Sequence, residues 1–163
     1  MPGPWSVELE HRVGAPPETV FGYFTDPDKY RRWKGIEAEL DPRPGGTYRV
    51  LMRPQVWVSG RYVAVDPPRR LVMTWGFESP LSLPDYAQVE PGSSTVEFTF
   101  VPDEDGTIIR VRHTDLPSEA SVGFHTQGWN NYLGRLLVVL EGNDPGEDPL
   151  IALADEVLRG RAR

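Results

Sequence analysis

The chain has 163 residues, no cysteine, and a formal charge of −7 from 17 basic and 24 acidic side chains. A single domain of that length buries roughly 70% of the surface its unfolded chain exposes, so a full core needs no covalent staple. Disulfides, thiolate metal sites and thiol catalysis are excluded, and the scattered basic residues do not form the concentrated positive surface that nucleic acid requires.

Ser6 to Val13 alternates, with Val7, Leu9, His11 and Val13 on one face and Glu8, Glu10 and Arg12 on the other. Period two with one apolar face predicts a half-buried strand. Pro16 and Pro17 then open a short helix with Val20, Phe21 and Phe24 on its apolar side. Asp26-Pro27 reads as an N-cap followed by a first-turn proline, starting a second short helix that ends near Trp33 and Gly35.

Strand patterns follow at Ile36–Leu40, Thr47–Arg53, Val56–Val65, Leu71–Phe77, Thr95–Val101 and Thr107–His113. Turns rich in Pro, Gly and Asp separate them, such as Asp41-Pro42-Arg43-Pro44-Gly45-Gly46 and Asp103-Glu104-Asp105-Gly106. Seven strands on short connections imply an antiparallel meander. One connection is long: Glu78–Gly92 contains Pro80, Pro84 and Pro91, and reads either as a flap over a pocket mouth or as a plain surface loop.

Ser118 caps the main helix, expected from Glu119 to about Glu141 and stopped by Gly142-Asn143. Its apolar seam runs through Val122, Thr126 or His125, Trp129, Leu133, Leu136 and Leu140, broadened by Leu137, Val138 and Val139. The N-terminal half, with His125, Gln127, Trp129, Asn130, Asn131 and Tyr132, is polar or amphipathic, and is expected to face something wet or variable. A last amphipathic stretch, Pro149–Leu158, is expected to dock on the body, with a second copy of the chain as the alternative surface. The longest apolar runs, Leu136–Leu140 and Leu150–Ala154, fall far short of a membrane span. With no cysteine and no secretory signal at Met1-Pro2-Gly3-Pro4-Trp5, the expected location is cytoplasmic.

Several segments combine into a recognisable pattern. They are Arg43-Pro44-Gly45-Gly46-Thr47-Tyr48, the run from Gly60 to Trp75, Gly92-Ser93-Ser94-Thr95-Val96-Glu97, Gly106-Thr107, His113-Thr114-Asp115-Leu116-Pro117, and Gly128-Trp129 leading to Leu133 and Leu136. Over roughly residues 5 to 142 the chain resembles the START-like (SRPBCC) superfamily, in the branch named for activators of a heat-shock-protein ATPase. That resemblance implies an α+β helix-grip fold over residues 1–142, a curved seven-stranded antiparallel sheet around the long helix enclosing a cavity, with 143–163 as a tail. Relatives bind lipids, sterols, polyketides or plant hormones, and some are cyclases or hydrolases, so the fold gives a pocket and not a reaction.

In such a fold the strand alternation and the polar half-helix nominate Tyr48, Val50, Met52, Trp75 (or its neighbour Thr74), Phe98, Phe100, Val111, His113, His125, Trp129 and Tyr132 as ligand-binding residues. A plain core would use the same aromatics. The three histidines sit in apolar registers but are scattered, so no metal or other cofactor is assigned; His11 is expected to be structural. Glu97 with Arg110 or Arg112 reads as an outward ladder. No nucleophile elbow, phosphate loop, dinucleotide fingerprint or zinc-protease motif occurs. Three readings stand in order: a carrier or sensor cup for a small, largely apolar molecule; an enzyme on polyketide-like or ester substrates using His113 or His125; and an interaction module with a chaperone partner.

Overall fold

The computed structural model describes residues 5–78 and 88–150. Its elements in chain order are β1 (Val7–Val13), α1 (Pro17–Thr25), α2 (Pro27–Tyr30), β2 (Glu37–Leu40), β3 (Thr47–Arg53), β4 (Val56–Asp66), β5 (Arg70–Phe77), β6 (Ser94–Asp103), β7 (Gly106–Thr114) and α3 (Glu119–Leu140). The seven strands form one sheet in the order β1-β7-β6-β5-β4-β3-β2. Every pairing is antiparallel. From β2 to β7 each strand pairs with the next, as short turns dictate. β1 instead lies at the far edge beside β7, so α1 and α2 carry the chain from one edge of the sheet to the other.

Alternation decides which face is covered. Val96, Phe98 and Phe100 of β6, with Ile109, Val111 and His113 of β7, are all buried. Between them, Arg110 and Arg112 point out and pair with Glu10 and Glu8 of β1, each at 3.2 Å. Glu97 pairs with Arg70 of β5 at 2.6 Å. The outward ladder is therefore built across β1–β7 and β5–β6, not between Glu97 and Arg110 or Arg112. Exposed pairs of this kind contribute about 0–1 kcal/mol each.

β3 departs from simple alternation. A register shift against β4 between Leu51 and Arg53 leaves Met52 half-buried and puts Arg53 inside. A bulge adds one residue to one strand and moves the following side chains across the sheet, so Met52 does not share the buried face of Tyr48 and Val50.

The helix caps form as their residue types require. Asp26 accepts from the backbone N–H of Asp28 and Lys29, opening α2 before Pro27. Ser118 accepts from the N–H of Ser121 at 3.1 Å. At the other end of α3, Gly142 takes φ +86°, and the amides of Gly142 and Asn143 return to Val139 and Val138 carbonyls, each at 3.0 Å. That is a glycine-terminated helix stop.

α3 lies across the inner face of the sheet. Its buried residues are Ser121, His125, Trp129, Tyr132, Leu133, Leu136 and Val139. The polar half does not face water, because His125, Trp129 and Tyr132 turn inward while Gln127 and Asn130 take the solvent side. At the C-terminal end Leu137 and Val138 are only half-buried, so the stripe is narrower than the run of apolar residues suggests. His11 is half-buried, its Nε2 2.9 Å from Asn130 Oδ1, joining β1 to α3. No helix among the described residues is long and apolar enough to cross a membrane. Most of the Glu78–Gly92 connection and of the Pro149–Leu158 stretch lies outside the described residues.

Removing the Ser118 hydroxyl leaves α3 with an unpaired first-turn amide, a loss typically worth about 1 kcal/mol. Ser118→Ala is expected to lower unfolding free energy by about that amount in urea titrations, with the slope unchanged. An unaltered midpoint would show that the cap does not anchor the helix.

Candidate functional site

The centre of the layer between sheet and helix is occupied by Lys34, a residue that periodicity alone does not flag. It follows the α2 turn, its amide bonded to the Tyr30 carbonyl at 3.0 Å. The next residue, Gly35, has φ +82°, and a β-carbon there would meet Val50 Cγ1 at 2.5 Å. Only glycine makes that turn without strain, and it aims the Lys34 side chain inward. On the other side, Arg135 of α3 donates to the Trp33 carbonyl at 3.1 Å, tying the same turn to the long helix.

Lys34 is 2% exposed. Its Nζ lies 4.0 Å from the Trp75 ring centroid and 4.5 Å from that of Trp129, with Tyr132 at 5.6 Å and Tyr30 at 5.7 Å. Two hydroxyls reach it, Tyr30 at 3.2 Å and Tyr48 at 3.3 Å, and these two are 2.6 Å from each other. Burial pushes the amine well below the ordinary lysine value, and the Asp148 carboxylate opposes that only in part. The phenols of Tyr30 and Tyr48 are pushed up by the same burial.

Proton accounting leads to the same charge state. An ammonium would donate to both phenols, one phenol would donate to the other, and the last phenolic proton would have no acceptor among the hydrogen bonds of the described residues. A neutral amine supplies that acceptor. Each of the three groups then gives one hydrogen bond and takes one, in a closed ring.

A second network is set by the histidines. Trp129 donates its indole N–H to His113 Nδ1 at 3.2 Å. Nε2 of His113 therefore carries the proton, facing Ser94 Oγ at 2.9 Å, and Ser94 in turn donates to the Trp75 carbonyl at 2.9 Å. Burial, then the neighbouring His125 and Lys34, hold His113 well below the usual histidine range. His125 stands with its ring centroid 4.9 Å from that of His113. Its Nδ1 donates to the Ser121 carbonyl at 2.8 Å, and burial lowers its pKa to about 4. The third histidine, His11, is spent on Asn130; among the described residues no three potential metal ligands come together.

Of the nominated residues, the structure brings Tyr48, Trp75, His113, His125, Trp129 and Tyr132 into this layer. Phe98 meets Trp129 edge to face with centroids 5.4 Å apart. Phe100 packs instead with Phe21 and Phe24 of α1, Val50 and Val111 are buried core, and Met52, half-buried at the bulge, packs against that core. Thr74 is half-buried and its hydroxyl oxygen accepts from the Arg61 amide at 2.9 Å, so Trp75 is the inward neighbour. Tyr30 and Lys34 are additions. The one signal for them is compositional: the chain uses 15 arginines and two lysines, and Lys34 stands between Trp33 and a glycine.

Among the described residues four buried side-chain polar atoms have no hydrogen-bond partner: Trp75 Nε1, His125 Nε2, Tyr62 Oη and Asp148 Oδ2. Each such group costs about 1–3 kcal/mol when left unpaired. The layer thus offers an indole donor, an imidazole acceptor and a hydroxyl, all walled by aromatic rings.

A long helix held by a curved antiparallel sheet, with two short helices after the first strand, defines the helix-grip class, the START-like fold. Residues 14–141 match the family model described as Activator of Hsp90 ATPase homolog 1-like protein. The chain belongs to that family. A solution structure of an AHSA1-like protein from Rhizobium etli is 41% identical, covering 88% of this chain and 86% of that one, with TM-score 0.69. DynU16, a protein of the dynemicin biosynthetic locus, superposes with TM-score 0.75 at 24% identity over 90% of this chain. The present chain spans about half of DynU16 (51%). An Hsp90 activator from Plasmodium falciparum has TM-score 0.67 at 24% identity, covering 84% of this chain and 96% of its own. These last two likenesses concern the fold. No curated protein sequence matches the chain.

His125 gives the site a pH signature. Its native pKa of about 4 lies below the ordinary 6.5, so between those values the unfolded chain binds a proton that the native chain does not. Stability is therefore complete above pH 6.5 and falls as pH drops towards 4, by an amount of order 3 kcal/mol from this residue. His125→Gln should flatten that part of the pH dependence of the urea midpoint. An equally steep profile in the variant would remove His125 as a contributor.

Proposed function

We propose that the chain binds a small, largely apolar molecule between the sheet and α3, with Trp75, Trp129 and Tyr132 as walls and His125 and Trp75 as polar anchors. The observation that carries this reading is the unused hydrogen-bonding capacity of Trp75 Nε1 and His125 Nε2 inside an aromatic layer. Apolar walls with a few convergent polar groups are the ordinary make-up of a small-molecule site. Family membership supports a START-like ligand-binding fold. The cytoplasm is the setting that suits a chain without cysteine.

Chemistry at this site belongs to a second reading, in which His125 Nε2 accepts a proton from a bound substrate. His113 is unsuited to that task because both ring nitrogens are already engaged, one by Trp129 and one by Ser94. The chaperone-partner reading draws on a relative of 24% identity and so on the fold alone.

Native mass spectrometry of freshly purified protein should show a small-molecule increment that disappears on denaturation. Titration of apo protein with anilinonaphthalene sulfonate should quench tryptophan emission and raise the melting temperature, a ligand at 100 times its Kd adding about 2.7 kcal/mol. His125→Leu should weaken the probe roughly tenfold, equivalent to about 1.4 kcal/mol. A clean apo mass with no probe shifting the melt would overturn the binding reading.

A further inference from the structure

We propose that Lys34 is a covalent anchor: its Nζ condenses with the ketone or aldehyde carbonyl of a small apolar ligand, forming an imine and releasing water. This rests on the proposed binding layer and specifies the chemical class of its ligand.

The geometry has three parts. First, Nζ lies against two indole rings, Trp75 at 4.0 Å and Trp129 at 4.5 Å, which form an apolar wall beside it for a carbonyl compound. Second, Nζ lies within hydrogen-bond distance of the Tyr30 and Tyr48 hydroxyls, and its burial favours the neutral amine, whose lone pair is what a nucleophile needs. Third, those phenols sit where protons must move. The amine nitrogen attacks the carbonyl carbon, and the C=O π pair passes to oxygen, which gains a proton through the Tyr30–Tyr48 pair. The resulting carbinolamine loses that hydroxyl as water, and the nitrogen gives up its second proton through the same pair. Both amine protons leave with the carbonyl oxygen, so the balance needs no oxidant, reductant or metal.

The groups facing Nζ from each packed element are consistent with a neutral amine. Tyr30 comes from α2, Tyr48 from β3, Trp75 from β5, His113 from β7, and His125, Trp129 and Tyr132 from α3. Asp148, beyond α3, is the one carboxylate acting on Lys34, and it also acts on Tyr132, whose phenol is pushed up first by burial and then by that carboxylate. Arginine could not serve here, since a guanidinium keeps its proton under all ordinary conditions. The chain's only other lysine, Lys29, is exposed on α2 and provides an internal control.

The test is reductive trapping of the intact folded chain with benzaldehyde and cyanoborohydride at neutral pH, followed by peptide mapping. Lys34 is expected to gain one benzyl group with a rate that saturates in benzaldehyde, while labelling of Lys29 rises linearly. Benzyl alcohol, an apolar analogue without a carbonyl, should suppress the Lys34 label, and Tyr48→Phe should slow it about tenfold, as loss of a proton-transfer partner does. Lys34→Met should lose the label, with a native near-ultraviolet circular dichroism spectrum showing that the variant is folded. Labelling of Lys29 without Lys34 in folded protein that binds the sulfonate would overturn the covalent anchor and leave the binding reading standing. Absence of both label and probe binding would overturn the two together. Linear labelling of Lys34, insensitive to benzyl alcohol, would reduce it to chance exposure and also defeat the proposal.

Discussion

The amine of Lys34, held away from water at the middle of the fold, is the constraint around which the interior is arranged. Moving a bare ammonium into a dry interior costs several kcal/mol even after relaxation. The surrounding residues lower that cost in two ways. Indole and phenol faces offer partial negative charge to whatever positive character Nζ keeps. Two phenolic hydroxyls complete its hydrogen bonding as a neutral base. Gly35 allows the turn, and Arg135 clamps the Trp33 carbonyl beside it, so the buried position is held from both ends of a three-residue stretch.

Around that centre the polar atoms divide into satisfied and unsatisfied sets, and the division has a structural logic. The satisfied set is a chain from Trp129 through His113 and Ser94 to the Trp75 carbonyl, running from α3 into the sheet. It fixes one tautomer of His113 and one rotation of the helix. The unsatisfied set, Trp75 Nε1 and His125 Nε2, belongs to residues whose other polar atoms are already engaged. The His125 ring is thus held through Nδ1 while Nε2 stays unpaired, and Trp75 is bonded through its backbone carbonyl while its indole N–H stays unpaired.

The architecture was legible in the sequence because it depends on repeating signals. Alternation in Thr95–Val101 and Thr107–His113, the proline-opened helices, and the Ser118 and Gly142 stops each act locally, and local rules survive into the fold. Three features were not legible. The bulge at Leu51–Arg53, just before Pro54, shifts side-chain direction within an otherwise regular strand pattern, so the burial of Arg53 was not read. The polar half of α3 was expected to face something wet or variable because its residue types are amphipathic. Burial there depends on partners from β5 and β7 that are distant in sequence, and period cannot distinguish a wet polar face from a dry hydrogen-bonded one. Lys34 escaped for the same reason. A lysine after a short helix ordinarily lies in solvent, and only Tyr48, Trp75 and Trp129, brought from three other elements, make it interior.

Family membership gives this chain a helix and a sheet that close on each other, and that alone is compatible with carrying, catalysis or partner binding. What narrows the choice is how polarity is placed inside. A merely structural core gains most from apolar side chains, since replacing a buried charged group by a well-packed apolar one is often neutral or stabilising. Here the interior keeps an amine, four buried tyrosines and two neutral imidazoles, all in the layer between the sheet and the helices. The charged ladders lie on the opposite face of the sheet, where they contribute little to stability. Such a distribution places reactive and hydrogen-bonding groups where water is excluded and electrostatic interactions are strongest.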